Sequence, residues 1–119
     1  MNYTLLEKQH LFSKTLARFI LDLASRGYYV TLGEAWRPDS QAQLYAITGQ
    51  GIKNSNHCLR LAVDLNIFLD RVWLVTRDEL EIPGKLWKSY SNDLVKCCWG
   101  GDFKSVDACH FSFEHNGIK

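Results

Sequence analysis

The stretch SNHCLRLAVDLNIF, residues 55–68, decides how this chain is read. His57 stands in a polar turn, and from Leu61 the residues alternate. Leu61, Val63, Leu65, Ile67 and Leu69 share one face of a strand, and Ala62, Asp64, Asn66 and Phe68 share the other. A carboxylate inside such a strand needs a partner, because an unpaired charge taken out of water costs on the order of several kcal/mol. The partner is a cationic side chain, a set of backbone donors or a metal ion. A continuous helix would hold His57 and Asp64 about 10 Å apart along its axis, and a straight strand would put them on opposite faces. Only a turn that carries His57 back toward the strand brings both to one centre.

Working outward, Thr4-Leu5-Leu6-Glu7 matches a capping box, and Leu5, Phe12, Leu16, Phe19, Ile20 and Leu23 recur at helical spacing until Gly27 stops them. Tyr28 to Trp36 predicts a strand that ends by presenting Arg37 before Pro38. Asp39-Ser40 reads as an N-cap for a helix running through Gln41 and Tyr45 to about Thr48 and closed by Gly49. Residues 48–56 form a Gly/Asn/Ser loop. Asp70-Arg71 turns the chain into a hairpin partner at Val72–Val75, and a helix is expected from Pro83 to about Lys96. Trp99-Gly100-Gly101 reads as a loop. Cys109–Phe113 alternates as a strand, with Phe111 and Phe113 inward and His110 and Ser112 opposite. This order predicts an α+β fold, a small antiparallel sheet with packed helices.

The chain has 119 residues, 46% hydrophobic and 23% charged, which suits one domain spanning 1–119. A net charge of +1 with no Lys/Arg run excludes polyanion binding as a reading, so nucleic acid is not an expected partner. Neither a signal peptide nor a membrane span is readable, and a monomer is expected. Cys97 and Cys98 are adjacent, Cys58 and Cys109 are far apart, and no C-x-x-C pair exists, so the four cysteines are read as free thiols.

Catalytic zinc takes three protein ligands and leaves a fourth position open. His10 falls off the apolar stripe of the first helix and His115 lies in a terminal segment expected to fray, which leaves His110, on the same strand face as Ser112, to complete a His57, Asp64, His110 set. Asp107, in a turn three residues before His110, is placed to act as a general base without being a ligand. Arg37 offers a planar group suited to a carboxylate or a polarised carbonyl oxygen. The competing reading has Asp64 ion-paired with Arg37, His57 as a loop residue, Asp107 as a turn residue, and Trp36 and Trp99 as core or rim aromatics.

S-N-H-x(4)-A-V-D-L at Ser55–Leu65, W-G-G-D-F at Trp99–Phe103 and D-x-x-H-F at Asp107–Phe111 together resemble the zinc D-alanyl-D-alanine carboxypeptidase and L-alanyl-D-glutamate endopeptidase family, which includes vancomycin-resistance peptidases and phage endolysins. G-E-A-W-R-P at Gly33–Pro38, followed by Gln41, is similar to that family's arginine-bearing segment. The resemblance implies the small fold shared with the hedgehog signalling domain and one Zn2+ ion held by His57, Asp64 and His110. It implies Asp107 as general base, Arg37 as the residue that contacts substrate or stabilises the oxyanion, and Gln41, Ser55 and Trp99 as substrate-binding. The implied substrate is a peptidoglycan stem peptide, cut between L-Ala and D-Glu by an endolysin that stays in the host cytoplasm until released to the periplasm. The alternatives are a D-Ala-D-Ala carboxypeptidase or dipeptidase, and a zinc-stabilised binding module without catalysis. Two positions depart from the family pattern. Arg60 stands where glycine is frequent, and Ser112 stands where glutamate is frequent, so that a contact to a ligand histidine is either lost or supplied by Glu114.

Overall fold

The computed structural model describes residues 2–49 and 55–119; most of the expected 48–56 loop lies outside the described residues. Helix α1, Leu5–Ser25, starts on the capping box: the Thr4 hydroxyl accepts from the Glu7 N–H at 3.2 Å and the Glu7 carboxylate accepts from the Thr4 N–H at 3.0 Å. It buries Phe12, Phe19 and Leu23, while Leu5 stays exposed at its first turn.

Strand β1, Tyr28–Leu32, pairs antiparallel with β2, Ala62–Leu69, from Tyr28 opposite Leu69 to Leu32 opposite Leu65. It stops four residues short of the predicted Trp36. The backbone bonding to β2 continues briefly, since the Gly33 N–H donates to the Asp64 carbonyl and the Asp64 N–H donates to the Glu34 carbonyl, both at 2.8 Å. The chains come so close there that a Cβ on Gly33 would stand 2.7 Å from the Asp64 carbonyl oxygen. Glycine is what permits this approach. Helix α2, Asp39–Thr48, takes in the two residues read as its N-cap and ends on Gly49 at φ 77°.

Asp70 and Arg71 both have positive φ, 51° and 66°, which is the twist a two-residue hairpin needs, and they lead into β3, Val72–Leu74. Helix α3 spans Glu81–Lys88, shorter than predicted, with Pro83 in its first turn. Past its end the Asn92 side chain accepts from the N–H groups of Leu94 and Val95, a local turn that competes with helix. The residues freed form β4, Cys97–Trp99, a strand not expected from the sequence; the predicted loop shrinks to one turn of 3₁₀ helix at Gly100–Asp102. Strand β5, His110–Phe113, lies between β2 and β4, giving the order β1-β2-β5-β4 with β3 also on β2.

Helices α1 and α3 pack on one face of this α+β sheet, where Phe12, Phe19, Trp87, Phe111 and Phe113 form an aromatic core. The opposite face carries Asp64 and His110. All four cysteines stand unpaired. Among the described residues no helix is long and apolar enough to cross a membrane.

Candidate active site

The register of β2 on β5 sets Asp64 directly opposite His110. Cross-strand partners hold their Cβ atoms about 5 Å apart, so two candidate ligands are neighbours by strand pairing alone. His57 reaches them from a turn tied to the strands by its neighbours. Asn56 is fully buried, and its Nδ2 donates to the carbonyls of Phe113 at 2.8 Å and Ile118 at 2.7 Å. The Ser55 hydroxyl accepts from the His57 N–H at 3.2 Å.

The facing atoms form a triangle. His57 Nε2 lies 3.4 Å from Asp64 Oδ1 and 3.3 Å from His110 Nδ1, and His110 Nδ1 lies 3.7 Å from Asp64 Oδ1. Tetrahedral bonds of about 2.0–2.1 Å place ligand atoms about 3.3–3.4 Å apart, so this triangle has the dimensions of three corners of a zinc site. Tautomers point the same way. His57 Nδ1 lies 3.0 Å from the Ala35 carbonyl, a contact that holds its proton there and turns the Nε2 lone pair inward. Asp64 Oδ1 is buried and makes no hydrogen bond among the described residues. Lone pairs gathered in a water-poor site favour a cation, and among the described residues these three side chains form a group that could hold a metal ion.

The electrostatics record the same crowding. Burial alone would lower the His57 pKa, but the Asp64 carboxylate beside the ring, with the Ala35 carbonyl, outweighs it and raises it. Burial pushes the Asp64 carboxyl up, yet the His110 and His57 rings hold it well below the usual carboxylate range. His110 Nε2 is buried with no hydrogen-bond partner among the described residues, so the expected contact from Glu114 is absent: the Glu114 backbone is taken by Lys96 and Lys8 on the tail side. The Phe103 ring, 5.3 Å from the imidazole, holds His110 in its place.

These side chains open on a cleft of about 510 Å³ lined by Arg37, Ser55, Phe103, Val106 and Asp107 among others. Asp107 Oδ2 stands 3.9 Å from His110 Nδ1 and is half exposed, beside the ion site and facing the cleft. Arg37 pairs with Glu34, not with Asp64: its Nε donates to Glu34 Oε1 at 2.7 Å and its Nη2 is 2.5 Å from the same oxygen. The competing reading of Asp64 therefore falls. Glu34 Oε1 also lies 3.9 Å from His57 Nδ1, a role the sequence analysis did not find, although Glu34 sits in the same GEAWRP stretch as Arg37.

Two expected substrate contacts are not in the cleft. Trp99 is fully buried, its indole N–H bonded to the Ala108 carbonyl at 2.8 Å, because it lies on β4 under Gly84 and Gly101 rather than on a loop. Gln41, in the first turn of α2, is not among the lining residues. The terminal HNGIK is tied into the fold: His115 bridges Ile118, and the Lys8 ammonium reaches His115 Nδ1 at 3.1 Å. Burial, followed by the Asp64 and Asp107 carboxylates, pushes the Cys109 thiol up to about 12, which removes it as a nucleophile.

The profile of the D-alanyl-D-alanine carboxypeptidase family matches residues 48–113, more than half of the chain, and the span contains His57, Asp64, Asp107 and His110. The chain belongs to this family. As a family peptidase it carries its candidate metal group and its candidate base inside the matched span, while Arg37 and Glu34 lie before it. No curated protein matches the chain. The crystal structure of the Serratia marcescens L-Ala D-Glu endopeptidase ChiX has a fold similar to this chain's, with a TM-score of 0.63, 20% identity, and coverage of 96% of this chain and 90% of that one.

Proposed function

We propose that this peptidase uses one Zn2+ ion to hydrolyse the L-Ala–D-Glu amide of the peptidoglycan stem peptide, acting as a monomeric phage-type endolysin released from the host cytoplasm to the periplasm. The observation that carries it is the His57, Asp64, His110 triangle, whose two histidines line one cleft together with Asp107 and Arg37. When bound, the ion supplies Lewis-acid polarisation of a carbonyl and activation of water. Asp107, half exposed and 3.9 Å from a ligand ring, accepts the proton of the attacking water and returns it to the leaving amine. Arg37, braced by Glu34, donates to the oxygen on which charge develops. The likeness to an L-Ala D-Glu endopeptidase over nearly the whole chain favours that bond.

The family description favours a second reading, carboxypeptidase action at D-Ala-D-Ala, in which Arg37 clamps a free carboxylate. Incubating the protein with purified peptidoglycan, with and without a chelator, and sequencing the new termini separates them. New L-Ala and D-Glu termini support the endopeptidase, and free D-alanine supports the alternative. Absent cleavage overturns both and leaves the binding module, and metal-independent cleavage overturns all three.

A further inference from the structure

The sheet face that carries Asp64 also carries a row of aromatic rings. The registers set Tyr29 opposite Phe68 and Phe68 opposite Trp73, on three adjacent strands. Tyr29 is 73% and Trp73 57% exposed. Aromatic area left bare on a pleated face marks an interaction site more than a packing leftover.

We propose that this row seats the glycan strand of peptidoglycan while the stem peptide enters the cleft. A sugar ring presents a face of C–H groups, and the negative face of an aromatic ring attracts it. Three rings across three strands span roughly 10 Å, the reach of two linked sugars. The row shares its face of β2 with the candidate ligand Asp64, since Asp64, Asn66 and Phe68 follow one another on that face, with Thr31 opposite Asn66. Phe68 stands about 13 Å along the strand from Asp64, and Asn66 and Thr31 offer hydrogen-bonding groups between.

This inference rests on the endopeptidase reading. In that reading the bond cut is one residue from the sugar that bears the peptide, so the sugar must lie close beside the ion site. A cut at the distant D-Ala-D-Ala end would leave the row without a sugar.

The test compares Tyr29→Ala and Trp73→Ala with wild type on two substrates: intact sacculi and a soluble stem peptide without sugar. Both side chains are exposed, so the variants keep their fold, which melting curves check. The expected result is a fall of fivefold or more in the ratio of sacculus to peptide turnover. An unchanged ratio overturns the proposal. Binding of glycan chains stripped of their peptides, read as tryptophan fluorescence quenching that Trp73→Ala abolishes, is decided even if wild type cleaves nothing. That outcome would remove the function while keeping the row, whereas absence of quenching removes the row. A dimer in sedimentation that Trp73→Ala dissociates would assign the face to a second copy and overturn the proposal.

Discussion

The backbone N–H of Arg37 donates to the carbonyl of His57 at 3.1 Å, so the segment that carries the cleft arginine is bonded to the turn that carries the first candidate ligand. Ala35, two residues earlier, receives the His57 ring, and Glu34 receives both the Asp64 N–H and the Arg37 guanidinium. Residues 34–37 are thus a brace across the site.

Glu34→Gln removes the charge that aims Arg37. Supporting residues around a metal ligand typically contribute 10–100-fold, and we expect a kcat loss of about tenfold with KM little changed and metal content intact. Steady-state kinetics of the metal-loaded variant check this. A rise in KM alone would mean that Arg37 acts in ground-state binding.

Asp107→Asn keeps the shape of the side chain and removes its basicity. The expected loss is about 10²–10⁴ in kcat, the usual share of a general base, with full metal stoichiometry. Turnover within threefold of wild type would assign proton transfer elsewhere.

The pH response of the metal-free protein follows from two opposite shifts. The raised His57 pKa contributes stability that is present below the imidazole's ordinary value near 6.5 and lost as pH rises through the folded value. The lowered Asp64 pKa contributes stability that is present above the ordinary 3.8 and lost as pH falls below it. Melting temperature without metal should therefore peak in mild acid and fall toward pH 8. Metal must displace the His57 proton, so its apparent affinity should fall as pH drops through the raised value, by up to about tenfold per pH unit for one proton. Titration calorimetry at several pH values reads the slope, and His57→Ala should abolish it.

Arg60 explains why glycine is frequent at its position in the family pattern. Its φ is +58°, the left-handed region, and its guanidinium lies 4.5 Å from the centre of the Trp36 ring. A non-glycine residue there costs about 1–2 kcal/mol, and an exposed cation–π contact returns about 0.5–1 kcal/mol. Arg60→Gly should leave stability within about 1 kcal/mol of wild type, and Arg60→Ala, which keeps the strain and loses the ring, should be the less stable variant. Urea unfolding orders them.

Gly101→Ala would drive a methyl group into the Trp99 ring. Overpacking of this kind costs about 1–3 kcal/mol, and denaturant unfolding should show that loss. A neutral result would mean that Trp99 has room to shift.

The sequence alone determined the elements whose signal is local. The Thr4 capping box, the Gly49 stop, the two-residue turn at Asp70-Arg71 and the alternation that puts Asp64 on the second face of β2 each depend on neighbours within a few residues, and each is where the pattern puts it. The convergence of His57, Asp64 and His110 was expected from residue types and family motifs, but the 3.3–3.7 Å triangle is the work of strand register and of Asn56 anchoring the turn to the chain's end. Tertiary structure also decided against the local signal: β4 formed where a loop was read, Trp99 went into the core, and Arg37 took Glu34 in place of Asp64. For β4 and Trp99 the deciding partners, β5 and Gly84, lie on other segments brought close by folding, whereas Glu34 stands three residues from Arg37 in the same stretch. Periodicity reports which way a side chain faces, and only packing reports what it meets.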